Sequence, residues 1–97
     1  MLSLANVNLY SYAKMLINTG KEQCFNDMFI NDKCCALGVL VLELKKDLSD
    51  IDITKPTIQT CHDFRKATGL SITEVNDIKR WSFARIGEYL LCSLLPL

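Results

Sequence analysis

The sequence predicts a mainly α-helical fold: a small bundle of four to five short helices around a buried central helix, with at most one short β-hairpin near Met28. The run from Cys34 to Leu42 is the longest apolar stretch. It is too short to cross a bilayer, which takes about 20 apolar residues, so we expect it to be buried on nearly every side. Other segments repeat apolar residues at intervals of three and four. With 97 residues, 49% of them hydrophobic, and no net charge, residues 1–97 are expected to form a single domain.

The first helix is predicted over Leu4–Asn18. Asn6 or Asn8 is expected to cap its start, and Gly20 is expected to end it in a left-handed conformation. The predicted buried stripe consists of Leu4, Val7, Tyr10, Ala13, Met15, Leu16 and Ile17.

The segment 21–33 is less regular. The pairs Asn26-Asp27 and Asn31-Asp32 are turn formers, because their short side chains bond the local backbone. They favour a short hairpin or an ordered loop whose aromatic residues fold back on the core. A loop with one helical turn is the alternative.

The second and central helix is predicted from about Lys33 to Leu48, with Asp32 as its cap. Its first two turns are apolar on all sides, and its last two turns carry charges on one side. Gly38 costs about 1 kcal/mol relative to Ala inside a helix. We therefore expect another backbone to approach closely at Gly38.

Residues 49–57 are predicted to be a connection, in which Ile51 and Ile53 allow a very short strand. Thr54 or Thr57 is expected to cap a third helix through Ala67, which Gly69 ends.

Ser71-Ile72-Thr73-Glu74 matches a capping box and opens a short helix that ends near Asn76-Asp77. Ser82 then caps the last helix, and Pro96 ends it. The buried stripe of this helix is predicted to contain Phe83, Ile86, Tyr89, Leu90, Leu91 and Leu94.

The charge balance and the cysteines indicate a compartment and exclude some functions. Without excess positive charge the chain is not a generic polyanion binder. Met1 to Gly20 lacks the pattern of a secretion signal. We therefore predict a reducing cytoplasm, no membrane association, and five free, mostly buried thiols.

Four short motifs stand in this order along the chain: Thr19-Gly20-Lys21 with Gln23, Cys34-Cys35-Ala36-Leu37-Gly38-Val39-Leu40, Ala67-Thr68-Gly69-Leu70, and Asn76-Asp77 followed by Trp81-Ser82-Phe83-Ala84-Arg85-Ile86. Together they resemble a family of small uncharacterised proteins common in bacteriophage and prophage genomes. Relative to that family, Arg80 and Gly87 stand in place of Gly and Ala, and Ala36 is inserted. The resemblance implies a phage-encoded accessory protein that acts in the bacterial cytoplasm, and it brings no known activity.

Metal binding and cysteine catalysis are both disfavoured. No Cys-x2-Cys pair is present, and adjacent cysteines on a helix point about 100° apart. His62 is the only histidine, and Cys61 beside it would not face it on a helix. We expect no metal, no cofactor and no catalytic residue. The weak alternative metal set is Cys24, Cys34, Cys35, Cys61 and His62.

Partner binding is the favoured role of Lys79, Arg80, Trp81 and Arg85. Trp and Arg are the residue types that most often dominate binding energy at protein interfaces, although Trp81 fits equally well as a core residue. The segment 71–91 also resembles a helix-turn-helix, in which the same cations would contact DNA. The leucines near the C-terminus suggest a homodimer contact.

The favoured function is therefore a phage-encoded, non-enzymatic interaction protein. It would inhibit a host defence system, for example as an anti-CRISPR, by binding and occluding a host protein or complex. The alternatives are a small helix-turn-helix-like DNA-binding regulator, a nucleotide- or small-molecule-sequestering protein, and a hydrolase with a hyper-reactive cysteine.

Overall fold

The computed structural model describes residues 4–47 and 54–95 and is mainly helical, as predicted, with one short hairpin. The predicted strand at Ile51 and Ile53 and the end of the last helix at Pro96 lie outside these residues. The elements in chain order are α1 (Leu4–Asn18), β1 (Phe29–Ile30), β2 (Lys33–Cys34), α2 (Ala36–Asp47), α3 (Thr54–Thr68), a π-helix (Glu74–Ile78) and α4 (Phe83–Leu94).

Helix α1 has the predicted bounds, and its predicted buried face is confirmed at Ala13 and Leu16 but not at Tyr10. It packs against α2, α3 and α4, most extensively against α4. Leu9, Tyr12 and Leu16, spaced three and four apart, face the core together with Ala13. The prediction for Tyr10 was wrong: this ring is 45% exposed and lies beneath the ammonium of Lys14.

Both predicted ends of α1 need correction. Asn6 and Asn8 lie inside a helix that already begins at Leu4, so neither caps it. Gly20 follows the helix but does not adopt a left-handed φ. Among the glycines of the described segments, Gly69 alone does so, at the predicted end of α3.

Close packing of α1 against α4 depends on a glycine. A Cβ atom at Gly87 would lie 2.6 Å from the carbonyl oxygen of Ala13, so the two helices approach too closely for any side chain. Ser82 caps α4 as predicted, since its Oγ accepts a hydrogen bond from the Arg85 amide at 3.1 Å. Phe83, Ile86 and Leu90 are buried, as the predicted stripe requires.

Helix α2 begins three residues later than predicted, and Asp32 does not cap it. Lys33 and Cys34 pair with Ile30 and Phe29 instead, which places Asp32 in the hairpin turn. Cys35 precedes the helix, and its Sγ accepts a hydrogen bond from the Gly38 amide at 3.4 Å. The expectation for Gly38 is confirmed, because a Cβ there would lie 2.8 Å from the Met28 carbonyl oxygen.

The hairpin is confirmed, but its aromatic residues do not fold back on the core. Phe29 is 43% exposed, and Phe25 is half-buried at the edge of the structure. Cys24 is the buried residue of this loop, held where its amide donates to the Cys34 carbonyl at 2.9 Å. Main-chain pairing therefore stabilises this segment more than apolar packing does.

The segment after α3 contains a π-helix that the sequence does not predict. Ser71 Oγ accepts from the Glu74 amide at 3.0 Å, which confirms the Ser71 half of the capping box. The helical turn then widens, and Lys79 N–H donates to the Glu74 carbonyl, five residues back. The helix continues to Ile78, beyond the predicted end at Asn76-Asp77.

Candidate interaction surface

The four residues predicted to bind a partner lie together on one surface between the π-helix and α4. Lys79, Arg80 and Arg85 are exposed, and Trp81 is half-buried. Two residues that the sequence did not indicate, Phe25 and Ile78, complete the surface. We call these six residues the basic patch.

Aromatic rings hold the cations of the basic patch in place. The Arg85 guanidinium lies 4.5 Å from the centroid of the Trp81 ring, and the Lys79 ammonium lies 5.8 Å from it. Trp81 also meets the Tyr89 ring edge to face, with centroids 5.1 Å apart. Trp81 is thus neither fully core nor free: its ring supports two cations from below.

The positive charges of the patch are not neutralised by nearby carboxylates. None of the side chains of Lys79, Arg80 and Arg85 is within 4.0 Å of a carboxylate in residues 4–47 or 54–95. By contrast, Lys33 pairs with Glu22 at 3.5 Å elsewhere on the surface. Although the whole chain is neutral, these three cations have no ion-pair partner among the described residues and can bind an anionic partner.

A buried amide fixes the base of the patch. The Asn76 side chain is 1% exposed, and both of its polar atoms are satisfied. Its Oδ1 accepts from Gln23 Nε2 at 2.8 Å and from the Ala36 amide at 3.0 Å. Its Nδ2 donates to the Cys24 carbonyl at 3.1 Å and to Asp77 Oδ1 at 2.6 Å. We call Gln23, Asn76, Asp77 and the backbone groups they bind the polar junction.

The polar junction connects two distant segments, the loop 23–26 and the start of α2, to the turn that carries the patch. Gln23 Nε2 also donates to the Trp81 carbonyl at 2.7 Å, and Asp77 Oδ1 accepts from the Asn26 amide at 2.9 Å. The backbone amide of Ala36, at the start of α2, donates a hydrogen bond to the Asn76 side chain. The position of Trp81 is therefore set by bonds to residues more than fifty positions away in sequence.

The polar junction joins residues that are far apart in the sequence. Gln23, Ala36, Asn76-Asp77 and Trp81 belong to motifs far apart in the chain and meet here through hydrogen bonds. Their contacts hold the fold together. Asn76-Asp77 was predicted as a helix end and as part of a motif, but not as a hydrogen-bonding centre, because nothing local indicates which distant groups a buried amide will bind.

The cysteines and His62 do not converge. Among the residues that the structure describes, no group of three or more His, Cys, Asp or Glu side chains is arranged to hold a metal ion. His62 is exposed on α3. All five cysteines are free; three are buried, Cys61 is half-buried and Cys92 is exposed.

Burial keeps the core thiols protonated. Desolvation raises the pKa of the Cys34, Cys35 and Cys61 thiols above the ordinary value. A nucleophilic cysteine needs the opposite shift, which a nearby cation or a helix N-terminus provides. Cys35 does lie at the N-terminus of α2, where its hydrogen bond from the Gly38 amide lowers the pKa of the thiol, but desolvation outweighs this effect and the net shift is upward.

The cavities are small or polar. A pocket of about 160 Å³ beside Cys35, Ile72 and Asp77 is smaller than the 300 Å³ or more typical of small-molecule sites. A larger open cleft of about 680 Å³ contains charges of both signs, among them Lys21, Asp32 and Glu43. The pocket is too small for a sequestered ligand, and the open cleft exposes charges where such a ligand needs enclosed apolar surface.

Helix α4 offers little for reading DNA. A recognition helix places several polar side chains in the major groove. Here Phe83 and Ile86 are buried against the core, and Arg85 is the only cation on the helix. Burial also reduces the surface available for the predicted homodimer contact through the C-terminal leucines. Leu90 faces the core, whereas Leu95, at 61% exposure, projects outward.

No helix within the described residues has the length and apolar character needed to span a membrane.

Searches for similar proteins bring no further indication of function. No protein-family model, no curated protein sequence and no solved structure matches the chain.

Proposed function

We propose that the protein is a non-enzymatic interaction protein that binds a partner protein through the basic patch. One observation carries the proposal: Lys79 and Arg85 lie over the ring of the only Trp of the chain, Arg80 lies over the Phe25 ring, and none of the three cations has a carboxylate partner among the described residues. Arg and Trp contribute more binding energy at interfaces than most residue types. Their position on a base fixed by buried hydrogen bonds lowers the entropy lost on binding.

The setting of this function follows from the resemblance described above. The protein acts in a bacterial host as a phage accessory protein, and its partner is a component of a host defence system, for example a CRISPR effector complex. It inhibits by covering a surface of that partner. A cationic patch complements an acidic surface, so it suits a subunit contact better than a basic nucleic-acid groove.

DNA binding is the competing function, since phosphates also attract the three cations. It is disfavoured because the chain has no net charge and α4 presents a single cation. The exposed Ile78 beside the cations also has no role on a phosphate backbone, whereas it fits an apolar pocket on a protein.

The test is an affinity purification from a bacterial lysate with a charge-reversed variant. The double variant Lys79→Glu/Arg85→Glu reverses two cations of the patch. The matched control Lys45→Glu/Lys66→Glu makes the same change of charge at exposed positions on α2 and α3. Mass spectrometry identifies the proteins recovered with each.

We expect the wild type and the control to recover the same host protein and the patch variant to lose it. Equal recovery by all three forms, or no specific protein with the wild type, would refute the proposal. Retardation of duplex DNA by the wild type, with a steep salt dependence that the patch variant lacks, would replace it with the regulator.

A further inference from the structure

Arg80 occupies a backbone position that normally takes glycine. Its φ is 54°, in the left-handed region. The position follows the π-helix, where the Trp81 amide folds back to bond the Val75 carbonyl at 3.0 Å. Glycine is the usual residue at such a helix end, because any Cβ raises the energy of this conformation. The arginine is therefore present despite its backbone cost.

The side chain of Arg80 is held in place while its charge stays available. Its guanidinium carbon lies 4.8 Å from the centroid of the Phe25 ring. A guanidinium over an aromatic ring keeps its N–H groups free to donate at its edge. Arg80 is exposed, and no carboxylate of the described residues pairs with it. The N–H edge is thus preorganised for a planar anion from outside.

Ile78 provides an apolar contact beside this cation. It is 77% exposed, the most exposed large hydrophobic side chain of the described residues. It ends the π-helix two positions before Arg80. An isolated exposed Ile needs no explanation, but here it lies on the same turn as a fixed guanidinium. Two positions of one short turn thus expose an apolar side chain and a bidentate donor.

We infer that Arg80 and Ile78 recognise an acidic, apolar segment of a partner protein, with a carboxylate on Arg80 and an apolar side chain against Ile78. This inference rests on the proposed function, and it names the chemistry that the basic patch selects. A carboxylate offers two oxygens that match the guanidinium edge. A nucleic acid would also engage the charge, but it would leave Ile78 in water.

The test uses a peptide of defined sequence as the probe. The acetylated and amidated peptide Glu-Leu-Glu-Leu-Glu is titrated into the ¹⁵N-labelled protein, and backbone shifts are followed together with the Trp81 indole signal. The peptide Gln-Leu-Gln-Leu-Gln is the matched control, and an oligothymidine of equal charge tests nucleic acid. The variant Arg80→Gly removes the side chain and relieves the backbone.

We expect shifts centred on residues 78–81, and about tenfold weaker binding of the Gln peptide, which corresponds to loss of one charge-assisted contact. Arg80→Gly is expected to bind the acidic peptide at least fivefold more weakly. Its thermal midpoint should stay the same or rise, since glycine adopts this φ without strain. The control variant Arg65→Ala, which removes an exposed cation from α3, should bind as the wild type does.

Equal binding of both peptides, shifts confined to other surfaces, or unchanged binding by Arg80→Gly would overturn the inference. Tighter binding of the oligothymidine than of the acidic peptide would overturn it in favour of nucleic acid. The inference can also fail while the proposed function stands. If Arg80→Gly binds normally while Lys79→Glu/Arg85→Glu loses the cellular partner, the basic patch binds a protein but does not recognise it through Arg80.

Discussion

Replacement of Asn76 by alanine should destabilise the fold more than almost any other single polar substitution. The side chain is buried and makes four hydrogen bonds. Without it, the Cys24 carbonyl and the Ala36 amide lose their partner and remain away from water. Each unsatisfied buried group costs about 1–3 kcal/mol. Gln23 keeps its bond to the Trp81 carbonyl and Asp77 its bond to the Asn26 amide, so these two contribute less.

The expected loss for Asn76→Ala is about 4 kcal/mol, the sum of two such groups. A domain of this length has a free energy of unfolding of about 5–15 kcal/mol, so the variant should retain a marginal fold. Urea unfolding followed by Trp81 fluorescence measures the change, provided that the slope with urea stays constant. The control Asn18→Ala, at an exposed position at the end of α1, should change stability by less than about 0.5 kcal/mol.

A second variant separates hydrogen bonding from side-chain volume. Asn76→Asp keeps the shape but places a carboxylate against Asp77, whose Oδ1 now accepts from Asn76 at 2.6 Å. Repulsion raises the pKa of the new carboxyl in the folded state, so this variant should gain stability relative to Asn76→Ala as the pH falls toward about 4, the pKa in the unfolded chain, and the gain should be complete below it. A loss under about 1 kcal/mol for Asn76→Ala would show that water replaces the amide and that the polar junction does not hold the fold.

Three other predictions concern the core. Gly38→Ala and Gly87→Ala should each lower the free energy of unfolding in urea by about 1–3 kcal/mol, because the new Cβ would lie 2.8 and 2.6 Å from a backbone oxygen. Gly20→Ala has open space around the new Cβ and should leave the stability unchanged. Equal effects at all three positions would refute the packing argument. Burial raises the pKa of Tyr12, so the unfolded chain loses this proton near pH 10 while the folded protein keeps it. The contribution of Tyr12 to stability is therefore complete below pH 10 and decreases as the pH rises above it. The variant Tyr12→Phe should be less stable at neutral pH, but its free energy of unfolding should decrease less at high pH than that of the wild type. Parallel pH dependences of the two proteins would contradict this. Iodoacetamide should label Cys92 first in the native protein and all five thiols in urea, and rapid native labelling of more than two, read by mass spectrometry, would show that the core is open.

Local signals in the sequence predicted the helices well. The bounds of α1, the end of α3 at Gly69 and the cap at Ser82 were all predicted from short patterns. Each depends on bonds or dihedrals within a few residues. The buried face of α1 was predicted less well, because Tyr10 and Tyr12 are equally apolar and the packing of α4 selects between them.

Distant contacts account for the features that the sequence did not predict. Helix α2 starts late because Lys33 and Cys34 pair with the preceding strand. The cations and Trp of the basic patch were predicted because they are neighbours in sequence. Gln23 and Asn76 were not, since they are fifty-three positions apart and each looks like an ordinary polar residue. Phe25 was not predicted to lie in the basic patch for the same reason: it precedes the left-handed turn at Asn26 and meets Arg80, which is distant in sequence.

The costly features of the fold are concentrated in one short region. The π-helix, the left-handed Arg80, the exposed Ile78 and the unpaired cations all lie between residues 74 and 85. Beneath them, every buried side-chain nitrogen and oxygen of the described residues has a hydrogen-bond partner. A fold selected for stability alone would relax this turn with glycine at position 80. Local strain above a satisfied base is the arrangement expected where binding, and not stability, sets the choice of residue.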